Sequence, residues 1–486
     1  MSDIYTPRQK SGYEQRLTKM LENPECYHEP HRPQFHFTPL FNWSNDPNGL
    51  VYHEGEYHLF FQHNPFGLEW GNSAWGHAVS SDLLHWRQLP VALWPDERGT
   101  IWSGSGVVDV RNRAGFQSGG ESPMIVAYTY AGRYAKTAGP FAQAIAYSND
   151  RGRSWTKYAH NPVLPNQSGG DDRDPKLLWC GITKEWVMVL YLEAGRRFGL
   201  YTSPDLKEWT YTGEIQGFHE CPDLFELSVD GNQDNTRWIV MGADGDYLIG
   251  EFDGRRFTTE SGKHHCDHGA NFYAPQTFND IPEADGRRIQ IAWMDGGRYP
   301  GMPFTQQMSF PCELALRTFP EGIRLCRNPI REIENLYGNI VSFEDRDLVP
   351  GENPLEGLSG DLFDIQMEIE PYHAKEFGLR MGEVLVRYSM SDHTITYDGA
   401  TAALSPESGR IKLRALMDRT SIEVFGNDGT ISLTSCYLRK NSACPDLEIF
   451  VHGGNARIIS LAVHELKSVW DSGDRKKRKQ ASSGQA

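Results

Sequence analysis

Three segments of the chain carry Ser, Asp and Trp in one order: SSDLLHW at 80–86, SNDRGRSW at 148–155 and SPDLKEW at 203–209. EFDGRRF at 251–257 reads as an eroded fourth copy. Asp82, Asp150, Asp205 and Asp253 fall 68, 55 and 48 residues apart, and a repeat longer than about 40 residues that holds several strands is the mark of propeller blades. Between Phe35 and about residue 325 the text consists of short β-branched and aromatic runs, such as GLVYHEGEYHLFFQ and PMIVAYTYAG, broken by Gly, Asn, Asp and Pro. No extended amphipathic helix pattern interrupts it, and a stretch of about 290 residues at this period makes roughly five blades. A simpler reading of the repeat stays open, a recurrent polar turn followed by a core tryptophan.

Either way the fold class is all-β. HEGEY at 53–57 predicts a hairpin turn between two strands. The only early helical stretch is 12–22 (GYEQRLTKMLE), closed off by Pro24, Pro30 and Pro33, so residues 1–32 read as an N-terminal arm and 33–335 as a five-bladed β-propeller. After Asn328–Leu336 the composition changes. Alternation such as IKLRALMDRTSIEVFGNDGTISLTS, with a hairpin turn at NDG 427–429, predicts a C-terminal β-sandwich over 340–470. The tail 471–486, with RKKRK at 475–479, reads as disordered.

Charge and apolar patterning exclude several functions. Lys and Arg number 48 against 64 Asp and Glu, a net charge of −16 that repels phosphate backbones and anionic lipid, so neither nucleic acid nor a membrane surface is an expected partner. The longest strongly apolar run, Trp186–Leu192, suits a buried strand and is far too short to span a bilayer. Eight scattered cysteines with no CxxC pair indicate neither a zinc ribbon nor a small disulfide scaffold. Charged residues run through Met1–Leu21, where a secretion signal would need its apolar stretch; the chain as written is expected in the cytoplasm, or outside the cell if a signal has been removed.

The candidate chemistry is that of a sugar site. WSNDPNGL at 43–50 contains DPNG, whose order also suits a plain type I turn, but Trp43, Phe60, Gln62, Trp70, Trp75 and Trp102 lie close by in sequence. Flat aromatic faces with amides and carboxylates match a sugar ring, apolar on its faces and hydroxylated at its rim. Glycoside cleavage requires two carboxyl groups, one ionised and one protonated. Asp46, Asp174 in DDRDPK and Glu220 in FHECPDLF are candidates, each near a Pro that restricts the local backbone. An exposed loop carboxylate is the commoner fate for such residues.

WSNDPNG, FFQHNP, WGHAVSSDLLHW, IWSGSGVV, RDPK, ECPDLF, FYAPQTF and DRTSIEVFGNDG occur here in the order found in glycoside hydrolase family 32, and over about residues 32–465 the chain resembles its fructan-degrading members. The resemblance implies a five-bladed β-propeller followed by a β-sandwich, with no metal or organic cofactor. It implies a substrate that is a fructan, an oligofructoside or sucrose. By motif, Asp46 matches the nucleophile, Glu220 the general acid and base, and Asp174 the carboxylate that holds fructose hydroxyls, with Arg173 beside it. Asn45, Gln62, Trp70, Trp102 and Ser103 fall where the family lines its fructose pocket; Tyr273 belongs to a sugar-site segment together with Asp267, and Trp293 is expected as an outer wall. Crowding by Asp46 and Asp174 is expected to raise the pKa of Glu220.

Ser44, Asn271 and Cys312 depart from the family pattern, the first and last expected at the pocket floor or rim. HHCDH at 264–268 offers five potential metal ligands of three types, but consecutive side chains point different ways, so structural or substrate roles are expected there. The implied activity is retaining, exo-acting release of fructose from levan, inulin or sucrose-type fructosides. A fructosyltransferase, a sucrose or sucrose-6-phosphate hydrolase, and a non-catalytic fructan-binding protein are the alternatives.

Overall fold

The computed structural model describes residues 6–23, 25–439 and 444–470; the tail read as disordered lies outside them, as do Met1–Tyr5. Two compact units form. Of the described residues, the first takes those within Met1–Cys26, Thr38–His265 and Tyr273–Pro311, and the second those within Tyr27–Phe37, Cys266–Phe272 and Cys312–Ala486.

The first unit is the propeller. Its first sheet is built from β1 (Asn42–His53), β2 (Glu56–Asn64), β3 (Ala74–Ser80) and β4 (Arg87–Leu93), its second from β5 (Thr100–Val108), β6 (Met124–Ala131), β7 (Ala142–Ser148) and β8 (Thr156–Lys157). A third follows from β9 (Arg173–Cys180), β10 (Glu185–Leu192), β11 (Arg197–Ser203) and β12 (Thr210–Gln216). The fourth comprises β13 (Asp223–Val229), β14 (Asn232–Met241), β15 (Asp246–Phe252) and β16 (Phe257–Thr259), with the short β17 (His264–His265) also on β15. β18 (Tyr273–Thr277) and β19 (Arg288–Met294) begin the fifth. The first strands lie side by side in the order β1, β5, β9, β13, β18, and β18 returns to β1, which closes the ring.

The Ser-Asp-Trp repeat is the turn between the third and fourth strands of a blade. Asp82 Oδ1 accepts from the Leu84 and His85 amides, Asp205 Oδ1 from Lys207 and Glu208, and Asp253 Oδ1 from Arg255 and Arg256. Asp150 is tied in the same way to Ser148 and Ser154. Both readings of the repeat therefore hold: each copy is a polar turn, and the turn recurs once in each of the first four blades because each of these repeats the same four-strand meander. HEGEY is the expected hairpin, with Glu54 and Gly55 at φ +46° and +87° between paired His53 and Glu56.

The helix α1 (Pro7–Glu22) starts five residues before the apolar pattern suggested. Thr6 and Gln9 form a reciprocal capping box, and Pro7 occupies the first turn, where a missing N–H costs nothing. Tyr13 and Leu17 are buried, the Tyr13 hydroxyl lying 3.0 Å from His63 Nε2 and accepting from Gln88 Nε2.

The second unit holds a sandwich. A six-stranded sheet runs Tyr337–Leu348, Ala456–Leu466, Phe363–Glu370, Ile411–Asp418, Ser421–Gly426, Ile431–Cys436; a five-stranded one runs Ala400–Ala403, Thr394–Tyr397, Val384–Ser389, Glu376–Met381, Leu447–His452. Phe363, Phe377, Val386, Ile395, Ile422 and Leu433, none more than 0 % exposed, fill the space between the inner faces. NDG 427–429 is the hairpin turn expected, its three residues at φ +44°, +56° and +86°. Tyr27–Phe37 and Cys266–Phe272 belong to this unit because their hydrogen bonds end there: the Gln34 and Phe35 amides donate to Asp418, and the His268 amide to the Ser432 carbonyl.

Candidate active site

Each blade delivers its chemistry at the start of its first strand. β1 carries Asn45 and Asp46, β5 carries Trp102 and Ser103, β9 begins with Arg173 and Asp174, Glu220 stands just ahead of β13, and β18 begins with Tyr273. Four of these starts are bulged: the ladders slip between Ser44 and Pro47, between Trp102 and Gly104, opposite Arg173–Lys176, and between Tyr273 and Gln276. A bulge bends the strand and re-aims one side chain. Asp174, Glu220, Cys221 and Ala274 hold φ of +64°, +44°, +40° and +50°, conformations that cost energy and are kept only where the surroundings enforce them. A proline follows each acid within two residues, Pro47, Pro175 and Pro222; it needs no ladder donor and so fits a bulge. DPNG is thus a bulged strand segment, and the plain turn reading does not hold.

These starts enclose a pocket of about 140 Å³ lined by Trp43, Asn45, Asp46, Gln62, Trp70, Ser73, Trp102, Ser103, Arg173, Asp174, Glu220, Tyr273 and Trp293. All eleven of these candidate catalytic and substrate-binding residues line it, Trp293 among them. Ser73 was missed because nothing in WGNSAWGH distinguishes it, and Trp43 was noted only as a neighbouring aromatic ring. The sandwich unit has a larger hollow, about 1000 Å³, but its carboxylates Glu383 and Asp398 are exposed. The chemistry belongs to the smaller pocket.

Within it the carboxylates have distinct partners. Ser103 Oγ donates to Asp46 Oδ2 at 2.6 Å. The Cys221 amide donates to Asp174 Oδ2 at 3.1 Å, and the Cys221 thiol lies 3.6 Å from both Asp46 Oδ2 and Asp174 Oδ2. Arg173 grips Glu220 Oε1 through Nε (3.2 Å) and Nη2, and Glu193 through Nη1 (3.1 Å), while the Tyr273 hydroxyl donates to Glu220 Oε2 at 2.6 Å. Asn45 Oδ1 and Gln62 Nε2 are buried without a hydrogen-bond partner among the described residues, so a ligand hydroxyl is their natural complement.

Burial pushes Asp46 up to about 6, with the Glu220 charge adding and Ser103 opposing. Burial likewise pushes Asp174 up to about 7. Glu220 moves the other way. Burial acts to raise its pKa, but the Tyr273 hydroxyl and the Arg173 guanidinium outweigh it and hold the carboxyl below its usual range, which corrects the expected upward shift. The crowding is real, but hydrogen bonds to the charged form win.

Other expectations also change. Asp267 is not in the pocket: it is fully buried in the second unit, pairing with Arg327 and accepting from Ser432 and Thr434. Asn271 Oδ1 accepts from the Cys436 amide in the same unit. Ser44 and Cys312 are buried and line neither floor nor rim. In HHCDH, His265 pairs with Asp246 while Asp267 goes to Arg327, so side chains two residues apart serve different partners.

A propeller whose inner strand starts bring three carboxylates, an arginine and a wall of tryptophans into one small pocket defines a glycosidase. The N-terminal domain model of glycosyl hydrolases family 32 matches residues 36–329 and its C-terminal counterpart residues 332–465; the chain belongs to this family. It is 44 % identical to a levanase of Bacillus subtilis strain 168 across 91 % of this chain and 72 % of that protein. A levanase of Bacillus sp. strain L7 is 35 % identical across 91 % of this chain, which spans 53 % of that longer protein. Among solved structures, the exo-inulinase of Aspergillus awamori superposes with a TM-score of 0.82 at 30 % identity, covering 91 % of this chain and 100 % of that one. Among the described residues no helix is long and apolar enough to cross a membrane.

Proposed function

We propose that this chain is a retaining, exo-acting fructosidase that releases fructose from the non-reducing end of levan, inulin or shorter fructosides. The observation that carries the reading is the pocket itself. At about 140 Å³ it falls below the ~300 Å³ at which pockets for larger ligands begin, and it suits one sugar ring and not a run of chain. The levanase and exo-inulinase relatives support a fructosyl substrate. Among the described residues the one cation lining the pocket, Arg173, is engaged by Glu220 and Glu193, which disfavours a phosphorylated sugar.

In the proposed mechanism Asp46, ionised, attacks the anomeric C2 of the terminal fructosyl unit. The C2–O bond to the leaving group breaks, and the Glu220 proton passes to the departing oxygen. Glu220, now a carboxylate, takes a proton from water, whose oxygen attacks C2 and frees Asp46. Asp174 and Arg173 hold fructose hydroxyls, and the Asp174 carboxylate steadies the positive charge of the oxocarbenium-like transition state. Substrate hydroxyls that engage Arg173 loosen its grip on Glu220, so the acid gains its proton as the site fills.

The test is the time course of products from levan, inulin and sucrose, separated by anion-exchange chromatography. Fructose as the sole early product from the polymers supports the reading. Early oligofructosides overturn the exo assignment, and growing oligosaccharides at high sucrose indicate a transferase in place of a hydrolase.

A further inference from the structure

The residue before the proposed acid is histidine, in FHECPDLF, and its side chain does not point away. His219 Nε2 lies 3.6 Å from Glu220 Oε2, the oxygen that already accepts from Tyr273. Its Nδ1 is 3.0 Å from the Tyr191 hydroxyl, and the two rings meet edge to face at 5.2 Å. The Tyr191 ring in turn lies against the Arg173 guanidinium, 4.8 Å from its Cζ. The contacts close a loop: Arg173 to Glu220, Glu220 to His219, His219 to Tyr191, Tyr191 to Arg173.

We propose that His219 is a positioning residue for Glu220, a titratable partner that shares the carboxylate with Arg173 and Tyr273 and so sets the pH at which the leaving group is protonated. The proposal rests on the reading of Glu220 as the acid. Of the three groups that hold this carboxylate, Arg173 keeps its charge at any working pH and Tyr273 is a neutral phenol. Only an imidazole changes charge between about pH 5 and 8. His219 is also placed to exchange protons, with its side chain 36 % exposed against 8 % for Arg173. The charged and titratable groups around it are Glu220 on its own segment, Arg173 from β9, Tyr191 from β10 with Glu193 and Arg196 just beyond, Tyr273 from β18, and Asp244, which approaches the turn at Gly242 beside the His219 carbonyl. While His219 is protonated its charge favours the Glu220 carboxylate; once it is neutral, Glu220 holds its proton more tightly.

The test is the pH profile of kcat for sucrose, which reads Glu220 with the site filled, in His219→Gln and His219→Lys, each checked for folding by circular dichroism. Glutamine keeps a polar contact to Tyr191 without charge, and the alkaline limb is expected to move up by at least about half a unit. Lysine keeps the charge across the range, and the limb is expected to move down. Tyr191→Phe leaves the imidazole charge in place and is expected to move it less than glutamine does. Limbs that stay at the wild-type position, or glutamine and lysine variants that shift the same way, overturn the proposal. Glu220→Gln in the same assay separates the two claims: wild-type turnover there removes the acid assignment itself.

Discussion

Gln62 and Asn45 bring to the pocket buried polar atoms with no partner among the described residues, which costs folding energy unless a ligand completes them. Replacing Gln62 with Leu should lower kcat/KM about 3- to 10-fold, the worth of one neutral hydrogen bond, without lowering Tm, because the orphaned amide goes with it; a drop in Tm with unchanged kinetics would contradict this. Ser103 acts on Asp46, whose pKa of about 6 would be higher without the 2.6 Å bond from its hydroxyl. In Ser103→Ala the acid limb of kcat, which reads the filled site, should rise, so turnover falls more at pH 5 than at pH 7. The pH profile reads this directly. At this scale the sequence was legible where motif and chemistry coincide, as in NDPNG, RDP and ECPD. The ionisation of Glu220 was not, because Arg173 and Tyr273 reach it from 47 and 53 residues away.

Strands position these groups through their irregularities. Gly104 completes the bulge that aims Ser103, and a Cβ there would stand 2.0 Å from the Ala127 carbonyl oxygen. Gly104→Ala should therefore lower both Tm and activity, since the backbone of β5 must move to admit it; a fully active variant would show that the bulge does not hold Ser103. The helix α1 is an element of another kind, fastened by the buried Tyr13 and Leu17 and by Arg16 on Asn42. Tyr13→Phe removes the hydroxyl shared by His63 and Gln88, and about 1–2 kcal/mol of stability should go with it in urea unfolding. The repeated Ser-Asp-Trp turns were readable because turn chemistry is local. The bulge at Asp46 was not, since DPNG satisfies the rules of a turn and only pairing with β2 makes it a strand.

Across the whole molecule the buried histidines give the two units opposite responses to pH. In the first unit burial holds His58 near 3 and His63 near 4, and His77 is also driven well down. Groups depressed below their unfolded value of 6.5 contribute stability that is complete above pH 6.5 and lost as the pH falls toward those folded values. In the second unit His36, between Asp418 and Glu423 at 2.8 Å each, is raised to about 9: burial alone would lower it, but the two carboxylates outweigh that. Its contribution is complete below pH 6.5 and lost as the pH rises through 9. Hydrogen exchange should accordingly show the propeller unit opening first in acid and the sandwich unit first in alkali, and the reverse order would contradict these assignments. The five-bladed order was legible in the spacing of the repeats, whereas the inclusion of Tyr27–Phe37 in the second unit was not, because Gln34 and His36 find Asp418 more than 380 residues away. The central claim is that the ring of blades exists to set one nucleophile, Asp46, against one acid. The most direct measurement is kcat of folded Asp46→Asn on sucrose and levan. The account predicts a loss of at least about a thousandfold with Tm unchanged or raised, since a buried carboxylate is removed; hydrolysis near the wild-type rate would contradict it.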